Sequence, residues 1–214
     1  MEREQCVLWP FSRSHRALCA QAEDEGEDAA AWFSTFLGTP GLRLVRFASD
    51  ASRPTDDVYA QHRTLFSDGY PFLIASEASL ETLNARLPPP ALRMDRFRPN
   101  IVVRGARPFE EDEWATFRVG AAAEFRSVKP CSRCKVTTID QASGEDGIEP
   151  LRALSSFRSG ASLGWRCPEP GAGDSWRAQV FFAWNLVLEA HEPGAALAVG
   201  DALDVLTRHD WAKR

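Results

Sequence analysis

Short apolar runs rich in β-branched and aromatic residues recur along the middle and the end of the chain. Runs of this kind, bounded by glycine, proline and polar residues, are typical of β-strands. We predict strands at residues 71–75, 101–103, 123–128, 135–139, 180–188 and 202–206. Many short strands with few helices predict a mainly β, barrel-like domain with short helices, an α+β arrangement.

Three segments have the signals of helices. Residues 29–38 follow an acidic run at 23–28 and end in a glycine, and acids are favoured where a helix begins. In 76–87 the leucines share one helical face and Ser76 is placed to cap it. The third segment, 150–154, begins with a proline, which suits the first turn of a helix.

Two other stretches lack a regular period. The residues before 23 follow neither a helical nor a strand pattern and predict an irregular leader. Residues 159–178 are rich in glycine and proline and predict a loop. We also expect Trp114, Phe182 and Trp184 to be core aromatic residues rather than a platform for substrate.

The composition is that of a folded globular protein. The 214 residues are 44% hydrophobic and 26% charged, with a formal net charge of −5. This balance argues against nucleic-acid binding driven by phosphate neutralisation. The charge is unevenly distributed, however, because residues 86–135 hold eleven basic and six acidic side chains. A local basic surface in the middle of the chain is therefore expected.

The N-terminal sequence bears on localisation. Glu2 and Glu4 stand where a transit peptide would be poor in acids, and no apolar signal core follows them. Cytoplasm is the default expectation, with organelle association left open. The longest apolar stretch, 180–188, is far shorter than the roughly 20 residues that span a bilayer, so we expect no membrane span in this chain.

The sharpest local motif is Cys131-Ser132-Arg133-Cys134. Three interpretations are open: half of a zinc site, a redox dithiol, or one reactive thiolate with a neighbour. No second cysteine pair lies nearby, and the β pattern predicted for 135–139 argues against a dithiol at a helix start. Arg133 and Lys129 favour the third interpretation, because nearby cations lower the pKa of a thiol.

The motif belongs to a wider string of sequence. Five segments in order, at 66–80, 97–103, 110–114, 129–140 and 149–151, resemble the MOSC domain. Within that superfamily the chain looks most like the mitochondrial amidoxime-reducing component family and its bacterial and algal relatives. The resemblance runs from about residue 31 to about residue 206.

The resemblance implies that the chain binds the molybdenum cofactor, whose metal takes a sulfur ligand from a protein cysteine. Cys134 matches that metal ligand and Cys131 a neighbour, and soft thiolates suit a thiophilic metal. Residues that match positions around the pterin and its phosphate are Arg98, Asn100, Ser132 and Arg133. Asp68, Gly69 and Tyr70 match a loop beside the cofactor. The resemblance implies that the catalytic residues are Cys134 and Asp68. Asp68 also has a purely structural interpretation, since an aspartate before a glycine shapes turns.

The function implied by the resemblance is reduction of N-hydroxylated compounds, with electrons supplied by separate haem or flavin proteins. The alternative is a non-catalytic module that carries sulfur or cofactor beside a pyridoxal-phosphate-dependent cofactor sulfurase. An inactive, truncated relative is the third possibility.

The chain departs from the family at its start. The family's opening strand carries a Tyr-Pro-x-Lys-Ser segment whose lysine and serine reach the cofactor, and residues 1–28 do not match it. We therefore expect a MOSC-type β-barrel that lacks its N-terminal strands. The predicted division is an irregular acidic leader at 1–28, a remnant of the N-terminal barrel region at 29–90, the MOSC domain at 91–207 and a tail at 208–214.

Overall fold

The computed structural model describes residues 22–121, 123–165 and 173–209. Within this part the chain divides into two compact units. The first unit holds residues 22–55 and 62–69, and the second holds 56–61 and 70–209. The predicted domain boundaries stay a prediction.

The first unit contains two small antiparallel strand pairs and one helix. Strand β1 pairs with β2, and β3 pairs with β4. Helix α1 confirms the helix predicted after the acidic run, with two acids in its first turn. Of the irregular leader predicted at 1–28, residues 22–24 form β1 and residues 27–28 begin α1, while residues 1–21 lie outside the described part of the chain. The elements are β1 (Ala22–Asp24), α1 (Glu27–Phe36), β2 (Val45–Phe47), β3 (Arg53–Pro54) and β4 (Arg63–Thr64).

The second unit is built on a curled six-stranded sheet, which confirms the mainly β fold class. The strand order is β10-β7-β8-β9-β5-β6, and every pair is antiparallel except β5 with β6. We call this sheet the half-barrel. Its strands are β5 (Phe72–Ser76), β6 (Ile101–Val103), β7 (Trp114–Val119), β8 (Ala123–Ser132), β9 (Phe181–His191) and β10 (Leu203–Arg208).

Short helices accompany the half-barrel. The second, α2, begins after Ser76, whose hydroxyl accepts a hydrogen bond from the Ser79 amide, as predicted for its cap. The helix predicted at 150–154 is also confirmed, as α3. The helices are α2 (Glu77–Asn84), α3 (Leu151–Phe157), α4 (Gly160–Leu163) and α5 (Gly173–Ala178), with 3₁₀ helices at Met94–Phe97, Glu110–Asp112 and Lys135–Thr138.

Two further predictions about local structure are wrong. Residues 135–139 do not form a strand, because the hydroxyls of Thr137 and Thr138 bond back to the carbonyls of Cys134 and Lys135 and close a 3₁₀ turn. The predicted loop at 159–178 contains α4 and α5. Ser159 caps α4, and Gly160 leaves room for a backbone contact that a Cβ atom would block.

Two hydrophobic clusters lie against the half-barrel. The first cluster, which includes Phe97 and Phe182, packs against α2 and α3. The second cluster, which includes Trp114 and Trp184, also holds inward-facing residues of β6, β7, β8 and β10. All three aromatic residues predicted for the core are buried, which confirms that prediction.

Candidate functional site

Strand β8 carries the Cys-Ser-Arg-Cys motif at its end. Residues 123–126 of the strand pair with β7 on one edge and β9 on the other, whereas the part that leads to the motif pairs with β9. After Ser132 the pairing is prolonged by the Arg133 amide, which donates to the Val180 carbonyl at 2.8 Å. The motif is therefore attached to the sheet through β9.

A β-bulge lies beside the motif. The register between β8 and β9 shifts between Pro130 and Ser132, where β9 has one extra residue. Ala183 within this bulge has a left-handed φ of 72°, an unusual conformation for a residue with a side chain. Bulges increase local twist and redirect side chains. This one lies where β8 turns toward Cys134.

Cys134 is exposed at the point where the strand ends and a 3₁₀ helix begins. Its carbonyl accepts hydrogen bonds from the amide of Thr137 at 3.1 Å and from the hydroxyl of Thr137 at 2.9 Å. These bonds fix the backbone and leave the thiol at the surface. Cys131, by contrast, is half-buried and packs against the first cluster, and neither cysteine forms a disulfide within the described residues.

The Arg133 side chain connects Cys131 to the 3₁₀ helix at Met94–Phe97. One terminal nitrogen lies 2.8 Å from the Cys131 sulfur, and the other donates to the Phe97 carbonyl at 2.9 Å. Its buried Nε has no hydrogen-bond partner among the residues described. The contact with Phe97 joins the cysteine motif to the segment that carries Arg98 and Asn100.

Arg98 and Asn100 have different local roles. Arg98 has a left-handed φ of 56° and ends the 3₁₀ helix, and its exposed guanidinium has no partner in the described part of the chain. Asn100 bonds to both backbone groups of Leu73. The backbone N–H of Asn100 donates to the Leu73 carbonyl, and the side-chain Oδ1 accepts from the Leu73 N–H, each at 2.9 Å. The side-chain NH₂ of Asn100 remains as a donor at the surface.

The loop after Cys134, residues 135–147, is held by two aspartates. Hydrogen bonds from the amides of Ser143 and then Ala142 lower the pKa of Asp140, which also pairs with Arg96 at 2.7 Å. A hydrogen bond from Lys135, followed by one from Thr138, lowers the pKa of Asp146.

Our sequence analysis missed the pair of Arg96 and Asp140. The two residues are 44 positions apart, and neither belongs to a recognisable pattern. The only signal was their place in the segments 97–103 and 129–140, or just beside them, that carry the family resemblance.

The other predicted residues are Asp68, Gly69 and Tyr70. Asp68 and Gly69 belong to the first unit, where Arg53 donates to the carbonyls of Leu65, Ser67 and Asp68 and shapes the loop. Tyr70 belongs to the second unit and is buried in a third, small cluster with neighbours that include Val187. The hydrogen bond from Arg133 to Phe97 links the segment of Arg98 and Asn100 to that of Ser132, Arg133 and Cys134, and the roles of these five residues stay predictions.

The chemistry of these groups distinguishes between possible ligands. Within residues 22–121, 123–165 and 173–209 no three histidine, cysteine, aspartate or glutamate side chains form a group that could hold a metal ion. The zinc-site interpretation thus has no support in this region. An exposed thiol and an exposed arginine that has no partner among the described residues fit a group that combines a thiophilic metal with a phosphate. These residues fit the molybdenum cofactor.

Comparison with known proteins gives consistent results. Residues 61–204 match the MOSC domain family. The chain is 42% identical over 144 residues to mitochondrial amidoxime-reducing component 1 of Mus musculus, covering 64% of this chain and 42% of the relative. It is 35% identical over 198 residues to mitochondrial amidoxime-reducing component 1 of Homo sapiens, covering 87% of this chain and 53% of the relative. Molybdenum cofactor sulfurase 2 of Culex quinquefasciatus is 35% identical over 144 residues, covering 63% of this chain and 19% of the relative.

These matches bear on localisation and extent. The cytoplasmic default finds no support, because the mouse and human relatives are named as mitochondrial proteins. No helix in the part of the chain that the structure describes is long and apolar enough to cross a membrane. The chain spans about half the length of these amidoxime-reducing relatives. The match over 61–204 contains the half-barrel through β10's first residues and the whole cysteine motif, so this chain belongs to the MOSC domain family.

Proposed function

We propose that this chain binds the molybdenum cofactor through Cys134 and reduces N-hydroxylated compounds. The observation that carries the proposal is the exposed Cys134 thiol, held at the end of β8 close to the segment of Arg98. The amidoxime-reducing relatives support the same reaction class. Electrons would come from a separate haem or flavin protein, and the relatives' names support an organelle association.

The residues of the site have separate tasks in this proposal. Cys134 serves as the metal ligand, and it must lose its proton to do so. Arg98 presents a planar set of donors to a phosphate, and the Asn100 NH₂ and Ser132 hydroxyl offer hydrogen bonds to a pterin edge. Arg133 positions the motif, because it spans Cys131 and Phe97. When bound, the cofactor supplies the two-electron redox chemistry, and the protein supplies position and electrostatics.

Replacement of the metal ligand tests the proposal. The chain is expressed in a host that makes the cofactor, and molybdenum and pterin are measured per mole of protein. Cys134→Ala should lower bound molybdenum and benzamidoxime reduction by more than about 100-fold. This loss is larger than that caused by removing a residue that only hydrogen-bonds to a metal ligand. Cys131→Ala is the matched control and should keep most of the molybdenum. Full molybdenum content and full reduction in Cys134→Ala would refute the proposal.

A second candidate function is supported by the similarity to molybdenum cofactor sulfurase 2. In that case the chain would carry sulfur or cofactor beside a pyridoxal-phosphate enzyme, and Cys134 would exchange sulfur. A turnover assay with benzamidoxime and an artificial reductant separates the two functions, because a carrier binds the cofactor without reducing the substrate.

A further inference from the structure

The 3₁₀ helix at Met94–Phe97 is joined to the loop that follows the cysteine motif. Arg96 extends from the helix to Asp140 in that loop, and their charged groups lie 2.7 Å apart. Beside this pair, the side-chain nitrogen of Gln141 donates to the Asp95 carbonyl at 2.9 Å. We call these two contacts the clamp. The partners are 44 and 46 positions apart in the chain, so the clamp exists only in the folded protein.

The ion pair in the clamp differs from an ordinary surface pair. The Arg96 side chain is only 12% exposed, and Asp140 is fixed by its own loop, because its Oδ1 accepts from the amides of Ala142 and Ser143 at 3.0 and 2.9 Å. The other oxygen, Oδ2, accepts from Arg96. Surface pairs contribute little when two mobile side chains must be ordered to form them. Here the carboxylate is already ordered, so the pair can transmit the position of the loop to the helix.

The clamped helix leads directly into Arg98. The Arg98 amide donates to the Asp95 carbonyl at 3.1 Å, and the residue ends the helix in its left-handed conformation. Two residues later, Asn100 bonds to both backbone groups of Leu73 on β5. The backbone at Arg98 is therefore fixed on both sides, by the clamp before it and by β5 after it. Its exposed guanidinium extends from this fixed turn.

The fold of the helix does not depend on the clamp alone. Phe97 is fully buried and stacks on Phe182 with ring centroids 4.1 Å apart. Its carbonyl also accepts the hydrogen bond from Arg133. These contacts anchor the end of the helix in the first cluster. We therefore expect that loss of the clamp changes the orientation of the turn at Arg98 and leaves the protein folded.

We propose that Asp140, acting through Arg96, is a positioning residue that orients Arg98 toward the phosphate of the bound cofactor. The inference rests on the proposed function. The loop that contains Asp140 begins directly after Cys134, so this one segment carries the metal ligand and, through the clamp, also orients the arginine for the phosphate. An arginine binds phosphate through a planar set of donors, which makes the contact sensitive to orientation. The clamp would therefore slow the loss of a cofactor held at both of its ends.

The rate at which the cofactor leaves the protein tests this inference. The full chain is loaded in a host that makes the cofactor, and the pterin released from the purified protein is followed by its fluorescence. Asp140→Asn keeps a carbonyl oxygen for the loop amides but removes the charge opposite Arg96, and it should release pterin about fivefold faster. Arg96→Met removes the other partner and should have the same effect. The two substitutions together should release pterin no faster than either one alone.

Asp95→Asn is the matched control. The Asp95 carboxylate belongs to the same 3₁₀ helix and pairs with Arg93 at 2.9 Å, two residues away in the chain. Its side chain is 49% exposed, against 45% for Asp140, and the substitution changes the net charge by the same amount. Asp95→Asn should release pterin at the rate of the unmodified protein. A general effect of removing a negative charge near the site would instead appear in both variants.

Arg98→Lys distinguishes positioning from general stabilisation. Lysine keeps the positive charge but lacks the planar set of donors, so its contact with a phosphate depends less on orientation. In the Arg98→Lys background, Asp140→Asn should no longer speed the release of pterin. If Asp140 only stabilised the fold, the effects of the two substitutions would add. Circular dichroism verifies that all the variants fold.

Three results would overturn this inference and leave the proposed function intact. They are equal release rates for Asp140→Asn and the unmodified protein, an equal acceleration by Asp95→Asn, and additive effects of Asp140→Asn and Arg98→Lys. A fourth result, an unmodified protein that takes up no pterin in the host, would overturn the inference and the proposed function together.

Discussion

At the scale of single residues, the cysteine motif owes its arrangement to an arginine. Arg133 contacts the Cys131 sulfur and the Phe97 carbonyl and so connects the half-buried cysteine of the motif to the segment of Arg98. A lysine could not reproduce both contacts, because it presents one compact charge rather than a planar fork. The sequence predicted the importance of Arg133 and Cys134 but not the contact with Phe97, since that contact depends on the fold.

Glu111 is a second residue whose state depends on the fold. Its side chain is fully buried, the Ser76 amide donates to Oε1 at 3.3 Å, and Oε2 has no partner among the described residues. Burial raises the pKa of Glu111 above its ordinary value of 4.5. As the pH rises above about 4.5, the unfolded chain therefore loses this proton before the folded chain does. The free energy of unfolding falls with rising pH over that window.

Glu111→Gln should remove this pH dependence. Between about pH 4.5 and 7 the variant is expected to lose less stability than the unmodified protein, by about 1 kcal/mol for each unit by which the fold raises the pKa. Urea unfolding at several pH values measures the difference. Glu81→Gln, an exposed glutamate on α2, serves as the control and should follow the unmodified protein. Parallel pH profiles for Glu111→Gln and the unmodified protein would contradict this account.

At the scale of elements, the apolar pattern located strands where the pattern was regular. β5, β6, β9 and β10 were predicted from runs of apolar residues, but β7 was not. The register of β7 with β10 shifts between Thr116 and Trp114, which breaks the alternation that reveals a strand. At residues 135–139 the pattern predicted a strand that does not form, because the two threonines close a 3₁₀ turn instead.

The loop after Cys134 is expected to weaken in acid. Amide hydrogen bonds from Ser143 and Ala142 lower the pKa of Asp140 below its ordinary value of 3.8. The stabilisation by Asp140 is thus fully present above about pH 3.8 and is lost as the pH falls through the lowered folded-state pKa. Asp140→Asn should speed amide exchange of residues 142 and 143 at neutral pH and reduce the acid sensitivity of the loop.

Hydrogen exchange followed by mass spectrometry measures this effect on residues 135–147. Asp57→Asn, an exposed aspartate outside the loop, is the control and should leave its exchange unchanged. If Asp140→Asn exchanges like the unmodified protein at neutral and acid pH, the aspartate does not hold the loop.

At the scale of the second unit as a whole, one buried ion pair joins elements that are distant in sequence. Arg158, only 4% exposed, pairs with both carboxylate oxygens of Asp112 at 2.7 and 3.0 Å, and Trp184 donates to the same carboxylate at 2.7 Å. The contacts connect a 3₁₀ helix, the end of α3 and strand β9. The sequence predicted that Trp184 belongs to the core. It did not predict the ion pair of Arg158 and Asp112, because no local pattern relates two residues so far apart in the chain.

Asp112→Leu should be strongly destabilising, because it leaves the Arg158 charge buried without its partner. The expected loss is about 3–5 kcal/mol in the free energy of unfolding. The double variant Asp112→Leu with Arg158→Leu should be less destabilised than Asp112→Leu alone, since no buried charge remains. Thermal and urea unfolding of the unmodified protein, the two single variants and the double variant measure this. A double variant that is less stable than Asp112→Leu by the full effect of Arg158→Leu alone would contradict it.

The bulge at Ala183 has a consequence for length variation among related chains. In a regular strand, gaining or losing one residue moves every following side chain to the other face of the sheet. At a bulge the extra residue is unpaired, so the same change leaves the following side chains on their original faces. The shifts between β8 and β9 place such extra residues in β9 near Ala183 and again between Leu188 and Ala190. Single-residue insertions or deletions within 181–191 are therefore expected at these two points, with the aromatic core of β9 left in phase.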